Sequence, residues 1–275
     1  MRKSHLSFEQ RVHNAYGSQE VENVRASHAF GHARNLSTRE WGNIWATCPD
    51  TAWAHSFGRN RGFEAIWRIC VANYDVKGCI NYLKLFDDNS DALGFDMRSM
   101  MMVAMHCLST ECVEVADDGK TARAWHLTPG GCFNHMGPKM PGPQGDQPRP
   151  ERISGGYERY GSDYVFEDGR WKLLHEHISP DLHGAFWHGD FFYQGFHDAV
   201  TGKERGPMLP PPGNSKYDAI APDGFPDMQE LKDNHYDYSA LQPVQPSCRP
   251  PEPYETFDEN NTYAPIIDTE YFRSL

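Results

Sequence analysis

Four short runs in the middle of the chain read as His- and aromatic-bearing strands, whose side chains repeat with a period of two: Met101-Met102-Val103-Ala104-Met105-His106, Thr121-Ala122-Arg123-Ala124-Trp125-His126, Gly156-Tyr157-Glu158-Arg159-Tyr160 and Asp168-Gly169-Arg170-Trp171-Lys172-Leu173. That period puts successive side chains on opposite faces of a strand. The runs therefore predict neighbouring strands that bring His, Glu and Tyr to one apolar surface. Asp117-Asp118-Gly119-Lys120 and Glu167-Asp168-Gly169-Arg170 interrupt the alternation with Asp-Gly pairs, the signature of tight hairpin turns. From Met97 onward the pattern predicts antiparallel strand after antiparallel strand.

Upstream the period becomes helical. Gly17-Ser18 precedes Gln19-Glu20-Val21-Glu22, where carboxylates suit the positive end of a helix. Val21, Val24, His28 and His32 then recur at helical spacing, which puts two imidazoles on the apolar stripe. Ser37-Thr38-Arg39-Glu40 has capping-box spacing and predicts a second helix through Trp41, Ile44 and Trp45, ended by Cys48-Pro49-Asp50. Thr51 to Phe57 alternates Trp53, His55 and Phe57 with small residues, as a half-buried strand does. Arg59-Asn60-Arg61-Gly62 reads as a turn, and Phe63, Ile66, Trp67, Cys70 and Tyr74 mark a third helix. The Gly/Pro-rich stretch at about 128–154 is too long for an ordinary hairpin loop and predicts a lid, an interface arm or a disordered excursion. Strong patterning ends near Asp181. The expected organisation is a patterned unit over 1–182 and an extended Pro/aromatic-rich arm over 183–275.

Composition narrows the partners. With 26 basic against 38 acidic residues the net charge is -12, so a nucleic-acid backbone is repelled and no such partner is expected. No run has the length of a membrane span, and the first residues lack the apolar centre of a signal peptide. The seven cysteines are odd in number and scattered without a CxxC pair, as reduced thiols in apolar segments would be. These features predict a cytoplasmic protein with no membrane partner. There is no Gly-rich phosphate loop, GxSxG or dinucleotide fingerprint. The arm and the Gly/Pro-rich stretch need a surface to cover, which predicts a homo-oligomer, a dimer or trimer, that exchanges its C-terminal arm.

The order of two helices, a strand, a third helix and a run of antiparallel strands resembles the SnoaL-like branch of the nuclear transport factor 2-like superfamily. The resemblance is carried by Glu22-Asn23-Val24 through Ala33, Glu40-Trp41 through Trp45, Gly58 with Arg61-Gly62-Phe63-Glu64-Ala65-Ile66, His106-Cys107-Leu108-Ser109, and Asp163 through Lys172. It spans roughly residues 15 to 182. It implies an α+β fold: a cone-shaped curved antiparallel sheet wrapped on N-terminal helices, here with a long irregular C-terminal extension. Within the superfamily the chain is most similar to the cofactor-independent scytalone and bile-acid dehydratases, with His106 and His126 where those enzymes keep pocket acid/base residues. That similarity implies no cofactor. Two departures stand out: His28 and His32 replace a Tyr and a nearby Asp on the first helix, and Glu158 and Tyr160 replace a polar pair on a later strand.

The candidate residues suit proton transfer. Imidazole is poised near neutrality, so of His106 and His126 one can accept a proton while the other donates; the alternative is a pair of core histidines bonded to backbone carbonyls. Glu158 and Tyr160 share a strand face, and a carboxylate inside an apolar cone is a general base or an orienting partner for His126. A register shifted by one would turn Glu158 to water, where Asp163 is read to lie. His28 and His32 at i, i+4 have a spacing that can hold a metal with His106 or Glu158. Such pairs also arise by chance on amphipathic helices, and no metal is assigned. Tyr160, His32, Trp53, His55, Phe57 and Trp125 are read as the substrate-contacting set. His175 and His177 alternate with Glu176, so either the two histidines or the glutamate faces inward. The function expected is a cofactor-independent lyase (dehydratase) or isomerase acting on a small apolar cyclic, phenolic, polyketide or steroid-like molecule. The alternatives are a non-catalytic ligand-binding or assembly protein of the same fold and, third, a metal-dependent enzyme.

Overall fold

The computed structural model describes residues 5–34, 44–55, 58–66, 102–134, 152–187, 190–193, 228–229, 248–264 and 270–271. For 32–34, 55, 58, 102–106, 130–134, 152–156, 180–187, 190–193 and 228–229 it describes the backbone alone. The first element is a helix, α1 (Phe8–Arg34). Its start is a reciprocal cap: Gln10 N donates to Ser7 Oγ at 3.2 Å, and Ser7 N donates to Gln10 Oε1 at 2.9 Å. The helix therefore begins about three turns before the start expected after Gly17-Ser18. Gly17 does not break it, because the missing side chain makes room for Trp171, whose ring would lie 3.2 Å from an added Cβ.

The buried face of α1 runs through Asn14, Gly17, Val21, Arg25 and His28 at the spacing of one helical stripe. That stripe is unusually polar. Phe8, Val12, Tyr16 and Phe30 stay exposed, which inverts the usual sorting and explains why apolar periodicity misses the first half of the helix.

Nine strands form one sheet among the described residues: β1 (Ala52–His55), β2 (Gly58–Arg61), β3 (Met102–His106), β4 (Ser109–Val115), β5 (Thr121–Asn134), β6 (Arg152–Glu167), β7 (Arg170–Trp187), β8 (Asp190–Tyr193) and β9 (Met228–Gln229). Their order is β3-β5-β6-β7-β1-β2-β9, with β4 also pairing β5 and β8 also pairing β7. The α+β class and the curved sheet packed on an N-terminal helix agree with expectation. The β6–β7 hairpin turns on Asp168 and Gly169, both at positive φ (54° and 75°), which is why an Asp-Gly pair stands there. Gly119 in the β4–β5 turn has φ 75°, and a Cβ there would also press on the His13 ring at 2.8 Å.

Several expectations are corrected. β1 pairs parallel with β7, so the sheet is mixed, and Ala52, Trp53 and Ala54 are all buried, Trp53 in the apolar cluster. Arg59-Asn60-Arg61 is not a turn but most of β2, because it completes the hairpin that β1 opens. Of the stretch at 128–154, residues 128–134 and 152–154 extend the β5–β6 pairing as far as Asn134 opposite Arg152, and the rest lies outside the described residues. β7 runs to Trp187 and pairs with β8. Residues 37–43 of the second helix expected over 37–45, and most of the third, lie outside the described residues.

The inner face of the sheet and α1 enclose one apolar cluster, in which Val21, Ile44, Trp45, Trp53, Ile66, Tyr160, Tyr164, Trp171, Leu173 and Ile178 meet. The outer face is covered by residues 248–264. Asp117 N and Asp118 N donate to the carbonyls of Tyr254 and Glu255, both at 3.1 Å. Arg123 stacks on the Tyr254 ring at 4.4 Å. Tyr263 lies over Gly161, where a Cβ would overlap its ring. Gly161→Val is therefore expected to lift this segment and destabilise the fold by about 1–3 kcal/mol. Limited proteolysis and thermal melting test this, and unchanged protection of residues 248–264 contradicts it.

Candidate functional site

The site starts from an ion pair between helix and sheet. Arg25, on the buried stripe of α1, bonds through Nη1 to Glu176 Oε1 on β7. Both side chains are almost wholly buried, at 1% and 0% exposure. The guanidinium also lies 4.3 Å from the centroid of the Tyr160 ring, a cation–π contact. One turn further along α1, His28 Nε2 stands 3.4 Å from Glu176 Oε2, and its ring meets Trp45 edge-on at 6.1 Å.

Glu176 reaches this face because of a bulge. Asp163 pairs with His175 but Tyr164 pairs with Leu173, so β7 carries one extra residue there. Trp171 and Leu173 point to the core before the bulge, and Glu176 and Ile178 do so after it. The choice between Glu176 and its flanking histidines thus falls to the glutamate. His175 goes to the outer face, where Nδ1 meets Asp163 Oδ2 at 2.7 Å and Nε2 donates to Asp50 O at 3.1 Å. Asp163, expected in water, is buried in this second network and accepts from Tyr263 N at 2.8 Å.

Across the sheet, β6 presents Glu158, Tyr160, Ser162 and Tyr164 to the inner side, and β5 presents Thr128 and His126 opposite Glu158 and Tyr160. Tyr160 donates its hydroxyl to Glu158 Oε2 at 3.0 Å. Burial, then Glu158, pushes the Tyr160 phenol well above its ordinary range, so it stays protonated. Tyr164 is raised by burial in the same way. His126 is fully buried, its Nδ1 3.2 Å from Glu111 Oε1 on β4, and neither ring nitrogen makes a hydrogen bond. Burial, with Arg25 adding to it, pushes the imidazole down to about 3. Glu111 moves the other way: burial and the nearby Glu22 raise its carboxyl, with Arg25 opposing. At pH 7 His126 is neutral, and its carboxyl neighbour holds a proton more readily than an ordinary glutamate.

Glu111 faces His126 in the same register as the β4–β5 pairs from Cys112 to Val115, and a bulge falls just before it. Ser109 pairs with Leu127 and Cys112 with Trp125, so Thr110 and Glu111 together oppose His126. Thr110 absorbs the extra residue at φ 51°, a left-handed conformation that strains a β-branched side chain. The strained residue thus lies next to the Glu111–His126 pair.

Of the residues expected at the site, the structure places His28, His126, Glu158, Tyr160 and Trp53 on the inner side, Trp53 directly beside Glu176. Trp125 is corrected to the outer face, since it alternates with His126 and pairs with Gly161. His106 sits on β3 opposite Gly130, four residues along β5 from His126, and its side chain lies outside the described residues, as do those of His32 and His55. Phe57 lies outside them altogether. Arg25 and Glu111 were missed. Both were in pattern: Arg25 stands four residues after Val21 and three before His28, and Glu111 alternates with Val113 and Val115. Among the described residues no three His, Cys, Asp or Glu gather as metal ligands, and no helix is long and apolar enough to cross a membrane.

No protein-family model matches the chain, and no curated protein matches it. Solved structures do. An NTF2-like superfamily protein from Salmonella enterica is 13% identical with a TM-score of 0.40, over 60% of this chain and 92% of its own. A provisionally assigned scytalone dehydratase from Novosphingobium aromaticivorans is 11% identical with a TM-score of 0.42, over 66% and 93%. An NTF2-like protein of unknown function from Pseudomonas putida is 16% identical with a TM-score of 0.37, over 71% and 98%. No residue role follows from likenesses of this size.

The buried ion pair makes a double-mutant prediction. Glu176→Gln leaves the Arg25 charge without its counter-ion and is expected to cost about 3–5 kcal/mol, whereas Arg25→Met with Glu176→Leu is expected to be neutral or stabilising. Denaturant unfolding of the single and double variants measures both. A single variant as stable as the parent contradicts the pairing.

Proposed function

We propose that this chain is a cofactor-independent lyase or isomerase that moves protons on a small, largely apolar ring compound of phenolic, polyketide or steroid-like type. The observation that carries the proposal is the meeting of two proton-handling couples, Glu111 with His126 and Tyr160 with Glu158, through His126 and Tyr160 at directly paired positions of β5 and β6. Groups whose environments move their proton affinities apart are what acid/base chemistry at neutral pH requires.

The couples divide the work. Glu111, partly exposed and shifted toward its protonated form, is the base that takes a proton from carbon next to a carbonyl or phenol. The electron pair left behind moves onto oxygen as an enolate. His126 is too weak a base for that removal, since burial holds it near 3, and serves instead as a neutral donor to the enolate oxygen. This reverses the accepting role open to it in the sequence. In elimination the enolate pair returns to form the carbon–carbon double bond while the β carbon–oxygen bond breaks, and the departing hydroxyl takes a proton from the Tyr160–Glu158 couple and leaves as water. Glu111 then releases the proton it gained to solvent through its exposed side, and the Tyr160–Glu158 couple takes one back once the product has left, which resets the site. In isomerisation no bond to oxygen breaks, and the proton returns to a different carbon. His28 acts as a positioning residue: it stands against the Glu176 carboxylate that fixes Arg25 under Tyr160.

A panel of hydroxylated cyclic ketones and phenols in deuterated water, followed by NMR, tests the proposal. The parent protein is expected to exchange or eliminate at the activated carbon of at least one compound, and Glu111→Gln to slow that step by about 10²–10⁴-fold. A panel that binds without exchange favours the non-catalytic ligand-binding protein, and a Glu111→Gln variant of full activity removes Glu111 as the base.

A further inference from the structure

We infer that the site admits its ring compound only in uncharged form, with a hydroxyl or carbonyl oxygen placed between His126 and Thr128, and that it excludes carboxylates and phosphate-bearing carriers. The inference deepens the proposed function and rests on it. It starts from two orphaned groups: His126 Nε2 and Thr128 Oγ1 are buried without a hydrogen-bond partner, two residues apart on one face of β5, while His126 Nδ1 stands 3.2 Å from Glu111 Oε1. Thr128 is the direct partner of Glu158, so both groups face the Tyr160–Glu158 couple. Buried polar atoms are rarely left unpaired, because each one forfeits its bonds to water. A neutral imidazole and a hydroxyl together complement an oxygen that can accept from one and donate to the other.

Charge decides what else the oxygen can be. The carboxyls of Glu111, Glu158 and Glu176 surround the patch, and Glu22 is close enough to raise Glu111. Arg25 is the opposing charge, but it is already bonded to Glu176 and stacked on Tyr160. His126 cannot supply a second cation, because its burial keeps it neutral far below physiological pH. An anion entering here would shed its water next to carboxylates and find no unpaired counter-charge among the described residues. A neutral phenol or ketone meets no such penalty.

Two probes of matched shape test this at pH 7: 2-naphthol, which is neutral, and 2-naphthoate, which is not. Binding is followed through the NMR signals of the His126 ring. 2-Naphthol is expected to shift those signals and to bind at least tenfold more tightly than 2-naphthoate. Thr128→Val, which keeps the side-chain volume, is expected to weaken 2-naphthol several-fold, and Glu111→Gln to narrow the gap between the probes. Equal or tighter binding of 2-naphthoate overturns the charge filter. If neither probe moves the His126 signals, the orphaned groups hold water and the inference fails as well. A preserved charge order without proton exchange on any compound would instead leave this inference standing and defeat the catalytic reading.

Discussion

The contact between Arg25 and Glu176 is the constraint around which the rest of the inner face is arranged. Removing a guanidinium and a carboxylate from water costs several kcal/mol for each, and only close pairing with good geometry offsets that. Here the pairing also fixes position: α1 is held to β7 by a charged contact at the point where Tyr160 and His28 converge on it. The same charges set the electrostatics of the neighbours. Arg25 helps to keep His126 neutral, and burial with Glu158 keeps the Tyr160 phenol protonated. A pair that looks like a structural clamp is therefore also the source of the field in which the acid/base residues work.

Backbone irregularity does as much as side-chain choice. Along β7 an uninterrupted alternation from Trp171 and Leu173 would send His175 and His177 inward and Glu176 out. The extra residue at the Asp163/Tyr164 bulge reverses that outcome, giving the ion pair to the inner face and the His175–Asp163 contact to the outer one. Along β4 Glu111 keeps the register that sets it against His126, and the bulge, with its strained backbone, falls on Thr110 beside it. The one-residue insertion in β7 thus separates an inner network built for proton transfer from an outer network that anchors the segment over 248–264.

Much of this fold is legible in the sequence because it depends on local rules. The Asp-Gly turns follow from the positive φ that a tight hairpin demands, and the shared face of Glu158 and Tyr160 follows from the period of two. What stayed hidden depends on tertiary partners. A bulge has no local signature strong enough to be read from one chain, so the facing of Glu176 was left open. Arg25 lay in the helical stripe but reads as a solvent residue until its counter-ion is placed. Asp163 reads as exposed because the Tyr263 segment that covers it is a hundred residues away in sequence. The start of α1 was missed because its buried stripe is polar while Phe8, Val12 and Tyr16 face water.

The measurement closest to the central claim is the protonation of His126 in the intact protein, followed by ring nitrogen and carbon NMR from pH 8 downward. A buried imidazole under the field of Arg25 should remain neutral through pH 5 and begin to titrate only near 3. Because its folded proton affinity lies below the ordinary value of about 6.5, its share of stability is complete above that pH and is lost as pH falls through the folded value. A midpoint at or above 6.5 would mean that Glu111 binds a charged His126 as a simple ion pair. The neutral-donor role, and the acid/base site built on it, would then be wrong.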